Sequence, residues 1–157
     1  MRIGHGYDVH KFCPGDGFVL GGKFISCDKA IIAHSDGDVL IHAICDALLG
    51  AAGLGDIGKH FPDSNDKFKG VDSRSLLRTV IDLIRQRNLS ISNLDTTCVA
   101  QSPKLSPYID VMKQTLSDDL AIATDRINIK ATTTEGLGFT GREEGIAVHA
   151  VVILTED

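Results

Sequence analysis

Apolar residues recur at two periods along this chain, and the alternation between them predicts its elements. Leu76, Leu77, Val80, Ile81 and Ile84 follow helical spacing behind Asp72 or Ser73 as the cap, and Asn88 suits the helix end. Val39, Ile41, Ala43, Ile44, Ala47 and Leu48 mark a helix running from an Asp38 N-cap to about Ala52. Ile109, Met112, Leu116 and Leu120 mark a third, opened by Ser106-Pro107. Strand patterns cover Arg2 to Phe12, Asp95 to Ala100 and Arg126 to Thr132. Phe18–Leu20 and Lys23–Ile25 flank Gly21-Gly22 as a hairpin. Ile146 to Leu154 is almost continuously apolar, which predicts a strand in the middle of the sheet. The stretch from Gly53 to Gly70 carries neither period, and loops that long are usually functional or disordered.

Strands broken up by helices in this order predict an α+β fold of two layers, with helices on one face of a mixed sheet. The 157 residues fit one domain, taken as 1–157. No apolar run approaches the ~18 residues of a membrane span, and no signal peptide opens the sequence. A cytoplasmic protein is expected, or an organellar (plastid-type) one whose transit segment has been removed. A net charge of −5 argues against a nucleic-acid partner, which would need a basic surface. It leaves phosphate ligands open, since metal ions or helix N-termini can neutralise them locally. Cys13, Cys27, Cys45 and Cys98 form no CxxC pair, so they predict free thiols rather than a zinc knuckle.

Candidate chemistry falls in three clusters. Asp8 and His10 alternate onto one strand face, with His5 on the other. His34-Ser35-Asp36-Gly37-Asp38 leads into the helix that bears His42. Asp8, His10 and His42 supply three ligands of the kind that hold a catalytic zinc with one position open. Asp38, His42 and Asp46 are spaced by four along the helix, so Asp38 or Asp46 could orient an imidazole. The second cluster is Thr132-Thr133-Thr134-Glu135 and the glycine-rich run to Arg142, which offers hydroxyls, amides and a hard oxygen ligand. The third is the loop Ala100-Gln101-Ser102-Pro103-Lys104-Leu105-Ser106, able to cradle a base or phosphate. Each cluster alone also fits a blander account: a solvated helix face, a capped turn, a plain connector. His149, inside the apolar strand, reads as structural, and His60 has a weak claim. No nucleophile signature is present. The residues alone leave open a metal-dependent phosphohydrolase and a non-catalytic binder of nucleotide or lipid phosphate.

Met1–His10, Ala33–Asp38, Gly55–Gly58, Phe61–Asp63, Thr132–Glu135 and Leu137–Arg142 together resemble the 2-C-methyl-D-erythritol 2,4-cyclodiphosphate synthase family, in order and spacing along the whole chain. The resemblance implies a zinc-like ion on Asp8, His10 and His42, and magnesium or manganese held on the substrate diphosphate through Glu135. It implies catalytic roles for His34 and Thr133, with His34 and Ser35 meeting phosphate and Asp8, Val9 and His10 also binding substrate. Asp56, Ile57 and Gly58 would hold a ribose. Phe61, Pro62, Asp63, Ser64 and Asn65 would hold the methylerythritol part. Ala100 to Ser106 would wrap cytosine and its phosphates, and Thr132, Thr133, Thr134, Glu135, Phe139 and Arg142 would complete the pocket. The resemblance further implies a homotrimer with active sites between subunits, a cytidine-diphosphate substrate, and a central cavity in which an isoprenoid diphosphate could sit. Ser64 and Asn65 stand where an acidic residue often follows Asp63, and Gly136 where Lys is frequent; these departures bear on affinity.

Overall fold

A computed structural model describes residues 1–62 and 64–156. Strand β1 (Arg2–Pro14) is followed by the hairpin β2 (Gly17–Leu20) and β3 (Lys23–Ser26), then the short β4 (Lys29–Ile32). Helix α1 (Val39–Ala52), the one-turn α2 (Ile57–His60) and α3 (Ser73–Arg85) come next. They lead through β5 (Leu89–Val99), α4 (Ile109–Leu120) and β6 (Ile127–Thr132) to the one-turn α5 (Gly138–Gly141) and β7 (Gly145–Glu156). Five strands pair in the order β4-β1-β7-β5-β6, with only β5 and β6 parallel, so β7 is central as its apolar run predicts. The hairpin forms a separate two-stranded sheet.

The helices cover one face, as expected. Eleven of the fourteen α1 residues are buried, which is the composition of a helix enclosed on all sides. It lies on β1 and β7 with α3 against it, while α4 packs over β6. In α3 only one stripe, Leu76, Leu77, Val80, Ile81 and Ile84, turns inward together with Ser73. α1 approaches β1 unusually closely because the inward positions of the strand are glycines. A Cβ on Gly4 would stand 1.9 Å from the Ala47 carbonyl oxygen, and one on Gly6 at 1.9 Å from that of Ala43. Glycine facing alanine thus sets the distance between strand and helix, and His42 sits beside Ala43 at that seam.

Among the described residues nothing covers the opposite face of the sheet. Ile3, Tyr7, Val9 and Val151 point out from it, Ile3 with 72% of its surface exposed. His149 lies here as well, so it is not a core residue of the strand; it pairs with His5, Nε2 to Nδ1 at 3.2 Å. His5 points away from Asp8 and His10, as the alternation requires.

Several boundaries depart from the sequence pattern. β4 had no counterpart in it. β5 begins at Leu89 rather than Asp95, because a bulge between Ile91 and Asn93 shifts the register and breaks the alternation midway. Ser106-Pro107 opens a 3-10 turn, Ser106–Tyr108, before α4 begins. The Gly53–Gly70 stretch is ordered by α2 and by a 3-10 turn at Asp66–Phe68, capped by the side chains of Asp56 and Asn65.

Candidate metal centre and phosphate clefts

Three side chains distant in sequence meet where β1 passes the first turn of α1. Asp8 Oδ2 lies 2.9 Å from His10 Nε2 and 3.2 Å from His42 Nδ1. The two nitrogens are 3.3 Å apart. A tetrahedral zinc with bonds of ~2.0–2.1 Å needs ligand atoms separated by roughly 3.3 Å, so the triangle already has the edge lengths of such a site. Among the described residues this is the group of three potential ligands that stands out. The donor set, two imidazoles and a carboxylate, suits a borderline cation and leaves one tetrahedral position open.

The electrostatics are those of a site built around positive charge. Burial alone would raise the Asp8 carboxyl, but hydrogen bonds and charge from His10 and His42 outweigh it and hold the group at about 2. Burial lowers His42, yet the hydrogen bond it donates to Asp8 and the charges of Asp8, Asp38 and Asp36 leave it raised overall. His10 Nδ1 and His34 Nε2 are buried without hydrogen-bond partners among the described residues.

What orients His42 differs from the sequence expectation. Its Nε2 lies 2.9 Å from Ser73 Oγ and 3.3 Å from Ser35 Oγ. Ser73 in turn donates its hydroxyl to Asp36, whose other oxygen accepts the Ser73 amide at 3.0 Å. Were Nδ1 to bind a cation, Nε2 would carry the hydrogen and donate to Ser73, and the relay His42–Ser73–Asp36 would fix that tautomer. Neither Asp38 nor Asp46 orients an imidazole. Asp38 sits just outside the helix (φ −71°, ψ 87°) and is fully buried, accepting the amides of Gly21, Gly22 and Ile41. Asp46 accepts the Ile57 amide at 2.7 Å and ties the start of α2 to α1. Because Asp72 is the α3 cap, Ser73 is free to face His42.

The triad opens into a cleft of about 460 Å³, which also takes in His34, Ser35, Ile57, Gly58, Phe61 and Pro62. Asp56 borders it, its carboxylate accepting the Lys59 amide at 2.9 Å. Asn65 accepts the Lys67 amide and Ser64 is exposed, whereas Asp63 lies outside the described residues. Val9 projects to the open face, so only its backbone can serve this cleft.

The other two sequence clusters meet each other rather than the triad. A second cleft of about 400 Å³ is formed by Ala100, Gln101, Pro103, Lys104, Leu105, Ser106, Thr132 and Thr133. Ala100 and Leu105 are buried, so they offer backbone only. Gln101 binds the loops together by accepting the Gly136 amide at 3.2 Å. Glu135 is exposed and held in the left-handed region at φ 54°, a strained position of the kind found at ligand-binding turns. The Thr134 hydroxyl is occupied by Thr140 at 2.9 Å, and Arg142 pairs with Glu144 at 3.0 Å. Phe139 lines a third cleft together with Val9 and His10.

Sheet register measures the separation of the two clefts. Val9 pairs with Ala147, Ala147 with Val99, and Val99 with Thr132. They therefore stand at one end of the sheet but three strand spacings apart, roughly 14 Å at ~4.8 Å each.

A mixed α+β fold with an Asp-His-His group able to hold a metal ion defines the class, and the chain belongs to the YgbB family, whose model matches residues 1–155. A Pseudomonas putida protein named 2-C-methyl-D-erythritol 2,4-cyclodiphosphate synthase is 62% identical over 154 residues, 98% of each chain. Among solved structures, the bifunctional IspDF from Campylobacter jejuni superposes with a TM-score of 0.96 at 45% identity, covering 99% of this chain and 42% of that longer one. Plasmodium falciparum IspF, solved as a CDP complex, gives a TM-score of 0.88 at 36% identity, covering 99% of this chain and 96% of that one.

Proposed function

We propose that this chain cyclises 4-diphosphocytidyl-2-C-methyl-D-erythritol 2-phosphate to 2-C-methyl-D-erythritol 2,4-cyclodiphosphate and CMP, acting as a phosphorus–oxygen lyase in non-mevalonate isoprenoid precursor synthesis. The observation that carries the metal dependence is the Asp8–His10–His42 triangle, with edges of 2.9, 3.2 and 3.3 Å. The names of the relatives support the reaction.

In this reaction an oxygen of the 2-phosphate bonds to the β-phosphorus. The bond from that phosphorus to the bridging oxygen breaks, and CMP leaves with the electron pair. A zinc-like ion on Asp8, His10 and His42, with magnesium or manganese on the diphosphate through Glu135, would neutralise phosphoryl charge and align the two groups. The protein supplies no nucleophile of its own. Burial first, and then the charge of Asp38, pushes the Cys98 thiol up to about 12, and Cys45 is raised by the same burial. Protein side chains instead bind and orient. His34 offers its unpartnered buried Nε2 to a phosphate, with Ser35 beside it. Thr133 and Thr132 meet the phosphates from the other cleft. Asp56, Ile57 and Gly58 take the ribose, while Phe61, Pro62, Asp63, Ser64 and Asn65 close on the methylerythritol unit. Ala100 to Ser106 wrap the cytosine, with Thr134, Phe139 and Arg142 framing the pocket.

One chain carries these groups in two clefts roughly 14 Å apart across the sheet. That separation supports a homotrimer in which the triad cleft of one subunit faces the cytidine cleft of the next, each chain being a single domain. The uncovered sheet face, with Ile3, Tyr7, Val9 and Val151, would then line a central cavity suited to an isoprenoid diphosphate. None of the described helices is long and apolar enough to cross a membrane, and the bacterial relatives support a cytoplasmic site of action. Phosphorus NMR of the products tests the reaction. Cyclic diphosphate with equimolar CMP is expected in the presence of zinc and magnesium. A linear phosphate would make the chain a phosphohydrolase, and CDP binding without turnover would make it a non-catalytic binder.

A further inference from the structure

The uncovered sheet face holds a pair of imidazoles that the reaction does not use. His5 on β1 and His149 on β7 are diagonal neighbours, since Tyr7 pairs with His149 and His5 with Val151. His5 Nε2 and His149 Nδ1 stand 3.2 Å apart, with ring centroids at 5.5 Å. The Tyr7 ring packs on His149 at 4.7 Å, and Thr97 registers with it on β5. Both histidines are exposed.

We propose that His5 and His149 form a second divalent-cation site, selective for ions of the copper, nickel and zinc class. The separation of the two nitrogens matches the 3.3 Å between the His10 and His42 nitrogens at the Asp8 centre. A single N–H···N hydrogen bond satisfies one nitrogen of each ring, whereas a cation takes both lone pairs at the same spacing. The chelate is preorganised because β7 is the middle strand of the sheet and His5 is held in register against its Val151, so little backbone freedom is lost on binding. Two imidazoles, with no carboxylate bonded to either among the described residues, suit borderline cations and disfavour magnesium or calcium, which take oxygen ligands. The site is therefore chemically distinct from a magnesium held through Glu135. Water fills the remaining positions in a single chain, and the inference does not depend on trimer formation.

Copper titration tests it. In a His42→Ala chain, whose first centre is disabled, calorimetry with Cu²⁺ near neutral pH should reveal a saturable site. Electron paramagnetic resonance of the bound ion should show imidazole nitrogen coupling. Adding His5→Gln or His149→Gln should each weaken that binding by about tenfold or more, the least that losing a ligand rather than a supporting partner should cost. Copper binding unchanged by both substitutions, or a spectrum without imidazole nitrogen, overturns the proposal. The unaltered chain gives an independent reading if His42→Ala does not fold. With one equivalent of Zn²⁺ already present, substoichiometric Cu²⁺ should broaden the His149 and Tyr7 proton resonances before those of other exposed residues. Uniform broadening would count against the site.

Discussion

Replacing Gly6 with alanine drives a methyl group into the carbonyl that starts the second turn of α1. The added Cβ would stand 1.9 Å from Ala43 oxygen and 2.8 Å from Ala47 nitrogen, where real Cβ atoms essentially never approach within 3.0 Å. Strand and helix must part by about 1.1 Å merely to reach that floor. His42 precedes Ala43 and moves with it, while Asp8 and His10 stay on the strand. Metal ligands tolerate about 0.2 Å of misplacement, so the triangle opens beyond what a cation can bridge. Overpacking of this kind costs about 1–3 kcal/mol, which leaves a protein of ordinary stability folded. A ligand displaced by about 1 Å should lower zinc affinity by about 100-fold. Zinc competition against a chromogenic chelator reads the affinity, and urea unfolding reads the stability. Gly50 is the control, because its Cβ would meet nothing within 4 Å. Gly50→Ala, within α1, should stabilise the chain by about 0.5–1 kcal/mol and leave zinc affinity alone. A folded Gly6→Ala protein with undiminished zinc affinity would refute the claim that this glycine seam sets the metal geometry.

Three other outcomes are expected. Ser73→Ala and Asp36→Asn, which interrupt the relay behind His42, should each weaken zinc binding by about 10–100-fold while CDP affinity stays constant; equal loss of both would mean a general collapse of the cleft. If Glu135 acts through a second cation, as proposed, Glu135→Gln should reduce turnover more than CDP binding, and parallel losses in steady-state rate and CDP affinity would contradict that. Zinc affinity should rise as pH rises through the histidine range, since the hydrogen bond to Asp8 and the neighbouring carboxylates make His42 hold its proton more tightly than free imidazole and the cation must displace it. The gain should approach about tenfold per pH unit below the raised pKa and level off above it, with Asp8, already ionised above about 2, adding nothing to the slope. A flat profile in competition titrations would show that His42 is not the titrating ligand.

The large elements were legible because burial wrote its period into the sequence. α3 shows a clean stripe, and β7 shows the nearly continuous apolar run of a central strand. The first half of β5 was not legible, since the bulge at Ile91/Asn93 changes which parity of residue faces the helices. β4 is four residues long with no alternation to detect. Convergence of Asp8, His10 and His42 was readable from residue types and helix position. The Ser73–Asp36 relay was not, because it joins positions 37 residues apart and depends on Asp72 taking the cap. Asp38 misled for a local reason: spacing by four puts it on the His42 face only if it is helical, and as the N-cap it turns toward the Gly21-Gly22 hairpin. The Thr132–Glu135 run resembled a capping turn, yet α5 starts at Gly138 with Leu137 as its cap, so Thr132 and Thr133 remain available to the second cleft.

Anomalous diffraction at the zinc edge from crystals grown with one equivalent of zinc bears most directly on the central claim. A single strong peak at ~2.0–2.2 Å from Asp8 Oδ2, His10 Nε2 and His42 Nδ1 is expected, with a fourth position turned into the cleft shared by His34 and Ser35. Zinc density elsewhere with none between these three atoms would contradict it.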